Sequence, residues 1–149
     1  MEVRDILDLN TIRVGIDAKN KNEVIEELAS LLLENGYISD MDSYVKDIYE
    51  REKLGQTGIG NFIAVPHGRS DSVQKVGVAI GITKQEIEWE TIDEHGVKVI
   101  ILFSVGTDTK GAETHLKILT MFARKLGNDE VVEKLINAKT SQEVVKAFS

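Results

Sequence analysis

The nine residues Val97-Lys98-Val99-Ile100-Ile101-Leu102-Phe103-Ser104-Val105 are apolar almost throughout and rich in β-branched side chains. Such a run suits a strand buried on both faces, so it predicts the central strand of a sheet covered on two sides. N-terminal to it, Val76 to Ile82 is a second β-branched run, weakened by Gly77 and Gly81, and Glu86 to Trp89 alternates weakly. Further back, Phe62 to Val65 is a short apolar run halted by Pro66. At Thr11 to Ile16 the residues Ile12, Val14 and Ile16 alternate with smaller or polar ones, the period of a half-buried first strand.

Helical patterns flank these strands. Asn20 is a good N-cap with Glu23 three residues on, and Val24, Ile25, Leu28, Leu31 and Leu32 recur at helical spacing until Gly36. Asp40 caps a second pattern running to about Lys53, with Tyr44, Val45, Ile48 and Tyr49 in its apolar positions and Gly55 ending it. After the central strand, Thr107 to Gly111 reads as a loop. A helix from about Glu113 then carries Leu116, Leu119, Phe122, Ala123 and Leu126 on one face up to Gly127. Asn128 caps a fourth pattern, and Thr140 with Glu143 forms a capping box for a fifth. Strands clustered mid-chain between helices predict an α/β fold: one domain over residues 1–149, with a mixed sheet and helices packed on both faces.

Composition narrows the function. A chain of 149 residues, 42% hydrophobic and 29% charged, fits a single core. Without cysteine there is no disulfide, thiolate metal site or cysteine nucleophile, and the chain is compatible with a reducing cytoplasm. The start of the chain lacks a signal peptide's apolar segment, and no apolar run is long enough to span a bilayer, so neither secretion nor membrane insertion is expected. A net charge of -7 disfavours nucleic acid as a partner, because phosphate backbones are held by clustered Lys and Arg.

The chemistry concentrates between Arg51 and Asp71, a stretch that holds the only proline, a glycine string and one of three histidines. In Gly55-Gln56-Thr57-Gly58-Ile59-Gly60 successive backbone N–H groups can approach an anion, but the string equally suits a tight turn, and it matches neither the P-loop nor the dinucleotide fingerprint. In Pro66-His67-Gly68 proline fixes the approach and glycine leaves room beyond, so His67 is expected to be accessible and held in one orientation. A neutral imidazole whose one nitrogen gives its proton to a carbonyl keeps a lone pair on the other for nucleophilic attack. His115 is read as a first-turn helical residue, either polar filler or functional. His95 is read as a turn residue. The histidine spacings fit no zinc site, and no cofactor is indicated. Arg51, on the last turn of the second helix, is a cation able to stabilise a transferring phosphoryl group, whereas Arg69 reads as a solvated surface residue.

The segment Thr57-Gly-Ile-Gly-Asn-Phe-Ile-Ala-Val-Pro-His67-Gly-Arg-Ser, preceded by Arg51-Glu52 and followed by Glu113-Thr-His115-Leu, closely resembles enzyme IIA, fructose/mannitol type, of the bacterial phosphoenolpyruvate-dependent sugar phosphotransferase system. The likeness covers nearly the whole chain. It implies a phosphotransferase in which His67 takes a phosphoryl group from the histidine-containing phosphocarrier protein and passes it to a cysteine on the IIB component of a sugar permease. His115 and Arg51 would act as donors to the phosphate, with Thr57, Gly58 and Gly60 shaping its pocket. It also implies a cytoplasmic site of action, and the length favours a free-standing IIA. Phe62 departs from the small residue expected at its position. Two other readings remain at this level: a nitrogen-type regulatory IIA that controls partners through the phosphorylation state of His67, and an anion-binding domain without transfer.

Overall fold

The computed structural model describes residues 2–149. Two 3-10 turns, Val3–Asp5 and Leu9–Thr11, lead into β1 (Ile12–Ile16). Next come helices α1 (Lys21–Glu34) and α2 (Met41–Glu52), and strands β2 (Gly58–Gly60), β3 (Ile63–Ala64), β4 (His67–Arg69), β5 (Gly77–Ile87) and β6 (Val97–Val105). Helices α3 (Thr109–Leu126), α4 (Asp129–Ile136) and α5 (Ser141–Ala147) complete the chain.

The six strands form one mixed sheet in the order β1-β5-β6-β3-β2, with β4 also on β6. β6 is central, as its apolar run predicts: it runs antiparallel to β5 on one side and parallel to β3 and β4 on the other. Its residues Val99 to Leu102 are fully buried. Each such side chain contributes about 1.5–3 kcal/mol by leaving water. Alternation along β5 and β6 sends side chains to two separate cores. Ile80, Ile82, Val99, Ile101 and Phe103 pack beneath Ile118, Phe122, Leu135 and Phe148 of the C-terminal helical layer. Ala79, Ile100 and Leu102 pack against Val24, Leu28, Tyr44 and Ile48 of α1 and α2. Helices therefore cover both faces.

The weak points of the strand reading have packing explanations. A Cβ on Gly77 would meet the Tyr37 ring at 2.3 Å, and one on Gly81 would meet Ile16 at 2.7 Å, so both glycines lie where neighbours press onto β5. β5 then continues through Thr83 to Ile87, taking in the first two residues of the weakly alternating stretch Glu86 to Trp89, whose last two lie beyond the strand. The caps form as read: the side chains of Asn20, Asp40, Asn128 and Thr140 accept hydrogen bonds from Glu23, Ser43, Glu130 and Glu143.

The third helix corrects the reading. It begins at Thr109, four residues before Glu113, because Asp108 caps it by accepting from the Gly111 N–H at 2.7 Å. Gly111 suits a loop by sequence alone, but within the first turn its missing side chain makes room for that cap: a Cβ would lie 2.6 Å from Asp108 Oδ1. The inward stripe is Gly111, Ile118, Phe122 and Leu126, whereas Leu116 is 66% exposed and Ala123 is also exposed. No helix among the described residues is long and apolar enough to cross a membrane.

Candidate active site

Pro66 shapes the site. Having no N–H, it interrupts the pairing with β6 after β3, and beyond it the chain rejoins β6 as β4, with His67 opposite Phe103. His67 therefore lies at the start of a second short strand and not in a free loop beyond the first. At the break the Val65 carbonyl turns toward the His67 ring and sits 2.9 Å from Nδ1. A carbonyl only accepts, so Nδ1 carries the proton and Nε2 keeps the lone pair.

Gly68 explains how α2 reaches this edge. A Cβ there would meet the Asp47 carbonyl oxygen at 2.7 Å and the Ile48 nitrogen at 2.9 Å, so β4 lies directly on the backbone of α2. That contact brings the last turn of α2, carrying Arg51, to the His67 end of β4. Arg51 and His67 line one cavity of about 320 Å3 together with Thr57, Ile59, Val65 and Leu119. Arg51 also donates to the Gly55 carbonyl at 2.9 Å, which ties its guanidinium to the turn after α2.

His115 lies in the second turn of α3, so its setting owes nothing to the helix N-terminus. Its ring stands 4.8 Å from that of His67, centroid to centroid, and edge-on to Phe103 at 5.5 Å. Its Nδ1 is buried and unpartnered. A bare lone pair is less costly to bury there than an N–H, which favours the tautomer with the proton on Nε2.

Both rings are held neutral. Burial pushes His67 below the ordinary imidazole value and the Arg51 cation adds to the effect, while the Val65 hydrogen bond and the Glu52 carboxylate oppose it. His115 is pushed down to about 4, by burial first and then by His67 and Arg51. A neutral nucleophilic nitrogen, an N–H donor and a fixed guanidinium in one place suit the transfer of a phosphoryl group, which needs alignment and charge stabilisation more than covalent machinery.

The remaining expected site residues divide. Thr57 lines the cavity, but its side chain is buried and its hydroxyl donates to Glu52 at 2.7 Å. Gly58 and Gly60 lie in β2, off the cavity lining. Gly58 is pressed against the Glu90 carbonyl and Thr91, and Gly60 takes φ +89 at the hairpin to β3, so both have structural reasons to be glycine. Arg69 is exposed yet engaged, donating to the carbonyls of Gly106, Thr107 and Asp108 in the loop before α3. Phe62 and Asn61 both have positive φ in the β2–β3 turn, which is why a small residue suits that position. Sequence reading gave no role to Glu52 or Lys21, although a carboxylate directly after Arg51 was visible.

The family profile for the phosphoenolpyruvate-dependent sugar phosphotransferase system, EIIA 2, matches residues 5–149. The chain belongs to this EIIA family. Among curated relatives, the mannitol-specific phosphotransferase enzyme IIA component of Geobacillus stearothermophilus is 36% identical over 97% of this chain and 95% of its own length. The chain spans only 22% of the fructose-specific EIIABC component of Bacillus subtilis, to which it is 30% identical. Among solved structures, the nitrogen regulatory protein IIA-Ntr of Neisseria meningitidis superposes with a TM-score of 0.87 at 26% identity, covering 99% of both chains. The IIA subunit in a complex of enzyme IIA and phosphorylated enzyme IIB of the Escherichia coli mannitol system superposes with a TM-score of 0.80, also at 26% identity, covering 95% of this chain and 96% of that one. These EIIA likenesses extend across the whole sheet and both helical layers.

Proposed function

We propose that residues 1–149 act as one cytoplasmic EIIA unit in a fructose/mannitol-type phosphoryl relay, with His67 as the residue that carries the phosphoryl group. The observation that supports this most directly is the hydrogen bond from His67 Nδ1 to the Val65 carbonyl, which leaves Nε2 as the nucleophile. Nε2 attacks the phosphorus of a phosphohistidine on the histidine-containing phosphocarrier protein. The new N–P bond forms as the donor's N–P bond breaks, and the donor ring takes the electron pair. In the second step a thiolate on the IIB component attacks the same phosphorus, and His67 leaves with its lone pair restored. Arg51 and the His115 Nε2–H hold the phosphoryl oxygens in both steps.

Docking must be transient, which suits a small apolar surface. Leu54 and Leu116, close in sequence to Arg51 and His115, are 83% and 66% exposed, and Ile59, which lines the cavity, is 41% exposed. A sugar-transport role is favoured over nitrogen-type regulation because curated relatives at 30–36% identity are fructose- and mannitol-type components.

The test is incubation with phosphoenolpyruvate, enzyme I and the phosphocarrier protein, followed by intact mass and acid-lability. One acid-labile phosphoryl group on His67, discharged by a IIB protein, is the expected result. No labelling beside a competent control IIA would overturn the assignment. Retention of the group in the presence of IIB proteins, with tight binding of the unphosphorylated form to a regulatory target, would favour the nitrogen-type reading.

A further inference from the structure

The Glu52 carboxylate is only 7% exposed, directly after the arginine of the site. A charge so buried requires partners. It has two, and both meet Oε1: the Lys21 ammonium at 3.2 Å and the Thr57 hydroxyl at 2.7 Å. Lys21, in the first turn of α1, is itself 14% exposed, bonded to Glu90 at 3.0 Å and placed over the Trp89 ring at 4.8 Å. The arrangement ties α1, the end of α2 and the start of β2 together immediately behind the cavity that Arg51 and His67 line.

We propose that Glu52 is a positioning residue for phosphoryl transfer, fixing the turn from 52 to 57 through the Thr57 hydroxyl, so that Thr57 acts through Glu52 and not as a donor to the phosphoryl group. The inference rests on the assignment of His67 as the phosphoryl carrier.

Three observations carry it. A hydroxyl has one proton, and that of Thr57 is committed to an ionised acceptor, where charge assistance makes the bond strong. The Thr57 side chain is 3% exposed, so turning the hydroxyl elsewhere would strip a buried carboxylate of a donor. The turn so fixed also includes Gly55, whose carbonyl holds Arg51, so slack at Glu52 would reach the guanidinium. Lys21 has a second duty. An unpaired carboxylate at this position would repel an incoming phosphoryl group, and the ammonium offsets that charge.

A double-mutant cycle on single-turnover phosphorylation of His67 tests the proposal. Glu52→Met and Thr57→Val are each expected to slow the reaction by about tenfold, the equivalent of one charge-assisted hydrogen bond, with the double variant no slower than about threefold beyond the worse single. Effects that multiply to about a hundredfold, showing that Thr57 contacts the phosphoryl group independently, would overturn it, as would two singles that match the parent. A parent protein that takes no label on His67 would instead defeat the underlying assignment.

A second readout needs no transfer: the NMR titration of His67 in the unphosphorylated Glu52→Gln variant. The charged or titratable groups around that ring are Arg51 and Glu52 from α2 and His115 from α3. Removing the negative charge should lower the His67 midpoint while the hydrogen bond to Thr57 can persist. Adding Glu52→Gln to Lys21→Met should restore part of the transfer rate lost in Lys21→Met alone by more than any recovery of the urea midpoint accounts for, because relief of an unpaired buried carboxylate would restore stability in a purely structural pair as well.

Discussion

The imidazole of His115 stands 4.8 Å from that of His67, inclined by 39°, with a buried and unpartnered Nδ1. Two neutral rings tolerate this proximity, whereas two imidazolium rings would repel each other across a partly dry gap. The pair is therefore suited to receive a dianion, not to hold protons.

Phosphorylation should reverse the electrostatics of His115. A phosphoryl group on His67 places negative charge beside it and favours its imidazolium, so its pKa should rise from about 4. Nitrogen-15 NMR titration before and after phosphorylation measures the change, and an unmoved value would place His115 outside the phosphoryl site.

Stability should fall on mild acidification. Both folded-state values are depressed, His115 to about 4, while the unfolded rings titrate near the ordinary 6.5. Between those limits the unfolded chain binds more protons, so the stabilisation is fully present above pH 6.5 and is lost as pH drops toward 4. For His115 the contribution is about 1–2 kcal/mol after discounting for the ring's partial exposure. Urea unfolding at pH 7 and pH 4.5 should show the loss, and His115→Asn should reduce the difference.

His67→Ala should abolish phosphoryl acceptance, read by intact mass; normal labelling would refute the role of Nε2. His115→Ala should still accept but pass the group on about 100- to 1,000-fold more slowly, the range for losing one transition-state donor. A wild-type forward rate would remove His115 from the relay.

Arg51→Lys should slow transfer by about tenfold despite keeping the charge, because an ammonium cannot replace the planar fork and loses the geometry of the Gly55 contact. Rapid-quench kinetics of acceptance would measure it, and parity with the parent would make Arg51 structural.

Gly68→Ala probes the backbone contact that brings α2 to the site. The added methyl meets the Asp47 and Ile48 backbone at under 3 Å, so α2 must move, at a cost of about 1–3 kcal/mol. The urea midpoint should fall, and transfer should fall further than stability alone explains because Arg51 moves with the helix.

Much of this protein is determined by its sequence. The run Val97–Val105 has nowhere to bury its side chains except between two layers, so it makes β6 central, and the caps at Asn20, Asp40, Asn128 and Thr140 depend on contacts within three residues. Pro66-His67-Gly68 likewise carries its chemistry locally, because the Val65 carbonyl that orients the ring is two residues away. Tertiary structure decided the rest. The start of α3 at Thr109 is itself local, set by the Asp108 cap on Gly111 three residues on, but which face of that helix turns inward, with His115 against His67 and Phe103 and Leu116 outward, depends on the layers it packs against. Gly58 and Gly60 belong to a packed hairpin because Glu90, Thr91 and Asp93 approach from more than thirty residues away. Lys21, Glu52 and Thr57 become one network only when α1 packs beside α2. Local hydrogen bonds and periodicity can be read along a chain, but the occupant of the space beside a residue depends on segments that folding brings there.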